Sequence, residues 1–157
     1  MSPSLKKPLS YLCLALMLVL LVLQVAPFWN ANGVGVSIAK YTWLPLNADE
    51  CKVLTEQLTS QIDGYSINSF VGASIILTIS FVFGPILCLT STESPVSSIF
   101  PIIGSVTGIY SFLAVPALKL GSTCILQLIL CIVLLVAAAA AMYVQLSTRS
   151  NTATVNA

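Results

Sequence analysis

The sequence predicts an all-α membrane protein. It is expected to be a four-transmembrane-helix antiparallel bundle with an ordered loop, residues 29–68, between helices one and two. Three observations predict it. Of the 157 residues, 57% are apolar and only 7% are charged, against roughly 25% charged in an ordinary soluble domain. The mean hydropathy is +1.00, and a chain this short has too little interior to hide that much apolar surface from water. Finally, the apolar residues fall into four runs free of Asp, Glu, Lys and Arg: 11–28, 69–90, 97–118 and 123–145. About 20 residues at 1.5 Å each cross a hydrocarbon layer of about 30 Å. Backbone groups in lipid must be satisfied within their own segment, so the runs are expected to be helices.

The first run begins at Tyr11 and ends at Phe28, after the basic pair Lys6-Lys7. Eleven of its residues are Leu, Val or Phe. At ~0.3–0.6 kcal/mol each they favour insertion by ~3–6 kcal/mol, which outweighs the single Gln24. The rival reading is a cleaved signal peptide, with Ala31 and Gly33 as the small pair at the cut. The apolar core is longer than such peptides use, and that pair lies well beyond it. This run is also the most uniformly aliphatic, so it is expected to show lipid the largest share of its surface.

The connections after the second and third runs, 91–96 and 119–122, are short, which makes helices two, three and four antiparallel neighbours. Pro95 and Gly121 are turn residues there. In the long loop, Val34 to Trp43 is β-branched, aromatic and partly alternating, and reads as a short strand or hairpin arm ended by Pro45. Asn47 with Glu50 resembles a capping box. Leu54, Leu58 and Ile62 then repeat every four residues up to Gly64, so Ala48–Ile62 is expected to be a short amphipathic helix. That helix either rests its apolar stripe on the bundle as a lid or docks a partner. The tail, 147–157, is small and polar and is expected to be disordered.

Lipid gives little hydrophobic drive for helices to associate, so small side chains that admit close approach carry the packing information. In the third run Ser97, Pro101, Gly104, Gly108, Ser111 and Ala114 recur at steps of three and four. In the fourth, Cys124, Gln127, Cys131, Leu134, Ala138, Ala141 and Gln145 form a comparable seam. Both are expected to face protein. Ser80 and Gly84 form a small pair in the second run, and Gly84-Pro85 is expected to kink or loosen its inner end.

The basic residues tie at three on each side, with Lys6, Lys7 and Arg149 opposite Lys40, Lys52 and Lys119. The flanks of the first helix favour both termini in the cytoplasm and the 29–68 loop outside. Phe28, Trp29, Trp43, Tyr65 and Phe70 would then mark one interface, with Tyr11 and Tyr143 marking the other. On the outer side a disulfide between Cys51 and Cys124 is a candidate staple for the loop. Trp29, Trp43 and Cys51 in a large loop after helix one make the layout loosely similar to that of claudin-type tetraspans. The second loop cysteine is absent and Leu44-Pro45 follows Trp43, so the likeness covers loop layout alone and carries over no residue or function.

Function is constrained mainly by exclusion. The chain has no histidine, which removes the commonest general base and metal ligand. None of the five cysteines forms a C-x-x-C pair, so no thiol-oxidoreductase motif is present. The net charge of +1 gives no footprint for nucleic acid. Asp49, Glu50, Glu56 and Asp63 read as a solvated helix face, so catalysis, a cofactor and a metal site are not expected. The expected function is that of a non-catalytic tetraspan, an accessory, scaffold or interaction subunit whose partners are the bilayer and a membrane protein or a second copy of itself. The alternative is a small oligomeric transporter or channel for a neutral or hydrophobic solute. Intramembrane charges normally mark ion paths, whereas the polar groups here are amides and hydroxyls, and hydroxyls more often bond their own helix. An uncleaved first helix predicts that amino-terminal sequencing of the purified protein reads through Lys6-Lys7; a start near Val34 would leave three spans.

Overall fold

The computed structural model describes residues 5–31, 34–39, 56, 67–92, 94–113, 119–120 and 123–155. Four helices dominate it: α1 Lys6–Leu23, α2 Ile67–Thr90, α3 Ile99–Leu113 and α4 Cys124–Val155. Three segments are long and apolar enough to cross a membrane: Lys6–Leu23, Val71–Thr90 and Cys124–Thr148. Helix α1 packs on α2 and α4, and α3 packs on the same two. The helical class therefore holds, and the structure adds one small sheet made of β1 Pro27–Ala31, β2 Val34–Ser37 and β3 Lys119–Leu120.

Both ends of α1 differ from the expected 11–28 span. The helix starts at Lys6, with Pro8 in its first turn, where a missing N–H costs nothing because that group has no helical acceptor. It stops at Leu23, and Gln24 to Ala26 form a closing turn, with the Ala26 amide on the Leu23 carbonyl at 3.0 Å. Proline disfavours helical geometry in the residue before it, so Pro27 ends the helix and starts β1. Phe28, expected at a lipid interface, is instead 2% exposed and belongs to the core.

Strand β1 lies in the middle of the sheet, in the order β2-β1-β3. It pairs antiparallel with both neighbours: Asn30 stands opposite Gly35 on one side and Lys119 on the other. The hairpin arm expected over 34–43 is a strand only to Ser37, and Ile38-Ala39 are already helical. The sheet is tied to the helices at their ends. The Ala39 amide donates to the Gln24 carbonyl at 3.0 Å, and the Thr123 amide and hydroxyl both donate to the Pro27 carbonyl, at 3.4 and 2.8 Å.

Helix α2 is unbroken through Pro85, although that proline has no N–H to offer the turn before it. Beyond Thr90, Ser94 caps a single 3-10 turn, Pro95–Ser98, by accepting from the Val96 amide. Ser97 and Ser98, expected to open the third helix, belong to this turn, and α3 begins at Ile99. Residues 114–118 lie outside the described residues.

The tail expected to be disordered from residue 147 is helical to Val155. No Gly or Pro follows Gly121, so nothing in the covalent chain stops the helix. The Ser147 and Thr148 hydroxyls both bond back to the Val144 carbonyl, at 3.1 and 2.7 Å. Of the amphipathic helix expected over Ala48–Ile62, only Glu56 is described, and it is helical. Leu54, Leu58 and Ile62 lie outside the described residues.

The core gathers Met17 and Leu20 of α1, Phe28 of β1, Leu77 and Phe81 of α2, and Leu134 and Ala138 of α4. Helix α1 buries 22% of its span, against 44% for α2 and 39% for α4, so it leaves the largest share free of the three. Thr123→Val removes the hydroxyl that joins α4 to β1 and is expected to lower stability by about 1 kcal/mol. The unfolding midpoint in detergent should fall; an unchanged midpoint would show that the hydroxyl adds nothing to the backbone bonds that tie the sheet to the helices.

Candidate functional site

The residues that carry information in this chain are the small and polar ones within the helices. Most of those described turn toward other helices. On α3 and the turn before it, Ser97, Pro101, Gly104, Ser105, Gly108 and Ser111 are all buried. The intervening Ile99, Ile103, Val106, Tyr110 and Leu113 are exposed. Ala114 lies outside the described residues. On α4, Cys124, Gln127, Cys131, Leu134, Ala138, Ala141 and Gln145 are all buried.

At three glycines a side chain of a neighbouring helix lies against the backbone. A methyl group at Gly104 would lie 2.6 Å from Phe81 Cε1 and 3.0 Å from Ser80 Cβ, both on α2. One at Gly108 would lie 2.7 Å from Cys131 Sγ of α4 and 3.4 Å from Leu77 Cδ1 of α2. Gly104 therefore faces α2, while Gly108, one turn on, sits between α2 and α4. At Gly84 of α2 a methyl would meet Met17 Sδ of α1 at 2.5 Å and Phe100 Cβ of α3 at 3.3 Å. Each position is closed to any larger side chain unless its neighbour moves. Gly72 is different, with nothing within 4 Å of an added methyl.

Polar side chains close the two ends of the helix assembly. At one end the Gln145 amide donates to the Thr92 carbonyl at 3.1 Å and to Ser97 Oγ at 3.2 Å. It accepts from the Ser98 hydroxyl at 3.2 Å. Ser10 of α1 donates to the same Thr92 carbonyl at 3.0 Å, and Cys88 of α2 donates to the Ser97 carbonyl at 3.5 Å. Gln145 has no exposed surface. One amide thus ties α4 to the α2–α3 connection, and Ser10 brings α1 to the same carbonyl.

At the other end the Gln127 amide donates to the Leu23 carbonyl at 3.1 Å and to Thr123 Oγ1 at 2.8 Å. Beside it Gln24, 4% exposed, accepts from the Thr78 hydroxyl at 3.0 Å. That hydroxyl also reaches the Ser74 carbonyl at 2.8 Å, and it has a single proton to give. Gln24 Nε2 is the one buried side-chain nitrogen or oxygen without a partner among the described residues. Turning the carboxamide over would place Nε2 on Thr78 Oγ1 and free the Thr78 proton for Ser74, but it would leave Oε1 in the unpartnered place.

Four further helix hydroxyls are satisfied locally. Ser80, Ser105, Thr107 and Ser111 each donate to the carbonyl four residues back, at 2.7–2.9 Å. Among the described residues no cluster of His, Cys, Asp or Glu is placed to hold a metal. Cys124 is a free, fully buried thiol. It heads the α4 seam; Cys51, the other half of the candidate disulfide, lies outside the described residues.

The seams were readable from spacing, but the partners of the amides were not. Thr92 and Ser98 meet Gln145 from 53 and 47 residues away, and Ser10 meets Thr92 from 82 residues away; no local pattern encodes that. One signal was available on α1. Ser10, Cys13, Met17, Leu20 and Gln24 follow at steps of three and four and are all buried. Apart from Leu20 they are the odd residues in an otherwise aliphatic helix.

Two comparisons test this arrangement. Gly104→Ala is expected to destabilise the protein by about 1–3 kcal/mol, because packing against the Phe81 ring must shift. Gly72→Ala, into open space, is expected to be neutral or to stabilise by about 0.5–1 kcal/mol through helix propensity. Equal effects on the melting point in detergent would contradict the assignment. Likewise, Gln145→Met breaks three bonds, takes the acceptor from the buried Ser98 hydroxyl and is expected to cost about 1–3 kcal/mol. Gln24→Met, which breaks one bond, is expected to cost less.

Compared with known protein families, with characterised proteins and with solved structures, the chain matches none.

Proposed function

We propose that this protein is a non-catalytic tetraspan: an antiparallel four-helix membrane bundle acting as an accessory, scaffold or interaction subunit. In this reading α3 is the fourth span. Its 15 helical residues cover about 22 Å, and the four-residue 3-10 turn before them adds about 8 Å, together close to the ~30 Å hydrocarbon layer. Both termini lie in the cytoplasm, and the sheet and the 29–68 loop lie outside. The order of contacts supports opposed helix directions. Ser10 near the start of α1 meets Thr92 beyond the end of α2, while Gln24 beyond the end of α1 meets Thr78 within α2.

The observation that carries the reading is the direction of the polar side chains. Gln127, Gln145, Ser10 and Ser98 are buried and bond from one helix to another or to a connection, while the buried Ser105 and Ser111 bond their own helix. The exposed faces of α1, α2 and α3 carry Val, Leu, Ile and aromatic residues, which suit lipid or the flank of another membrane protein. A solute path would need polar groups left free to exchange partners along one face.

Crosslinking with mass spectrometry in native membranes tests the reading. The expected result is a stable complex with a different membrane protein, joined through the lipid-facing helix surfaces or the outer loop. A homo-oligomer that passes a neutral solute in liposomes would overturn it in favour of a transporter or channel. Topology is tested separately with tags at both ends in sealed vesicles. Both tags should respond alike to added protease; opposite responses would mean an odd number of spans.

A further inference from the structure

We draw no further inference here: the strongest candidate, the buried polar cluster of Gln24, Ser74, Thr78 and Gln127 at the end of α1, carries nothing, because less than 1 Å² of the unpartnered Gln24 Nε2 is exposed, which leaves no room for even a water beside it.

Discussion

A polar side chain inside a bilayer has only protein to bond with, and that constraint organises this fold. Its clearest expression is the pair Gln127 and Gln145 on α4. They are 18 residues apart, which is five whole helical turns, so they point the same way about 27 Å apart. That separation nearly matches the thickness of the hydrocarbon layer. One amide reaches the carbonyl that closes α1, and the other reaches the connection between α2 and α3. Between them the α4 seam is Cys131, Leu134, Ala138 and Ala141, groups that ask for contact and not for hydrogen bonds.

The glycines do the complementary work in the apolar middle. Without a hydrophobic drive between helices, attraction depends on many short contacts, and these need backbones close together. Gly84 admits Met17, Gly104 admits Phe81, and Gly108 admits Cys131. In each case a large or polarisable side chain of one helix fills the space left by a missing one on another. Small residues at the contacts and amides at the ends are two answers to the same solvent, and they explain why so few polar residues suffice.

The legible parts of the fold were those governed by composition and period. Four apolar runs and two small-residue seams follow from steps of three and four, and residue spacing alone brings Gly104 and Gly108 to one face. The boundaries were harder because lipid suppresses the usual end signals. Lys6 and Lys7 looked like flanks and are helical, since nothing in the first turn opposes them. Phe28 looked like the end of a span, yet Pro27 had already turned the chain into a strand. Residues 147–155 looked like a tail because they are polar, but polarity does not stop a helix that lacks Gly and Pro. Strand β3 has two residues, too few to show a period, and it exists through its pairing with β1. The partners of Gln145 lie 47–53 residues away in the connection between α2 and α3, and only the folded chain brings them together.

The direct test of the central claim is labelling of the unmodified protein in vesicles by a lipid carrying a carbene-generating group on its acyl chain, mapped along α3 by mass spectrometry. Insertion is expected at Ile103, Val106, Tyr110 and Leu113, with Gly104, Ser105, Gly108 and Ser111 protected. Labelling spread evenly around the helix, or centred on the two glycines, would contradict it.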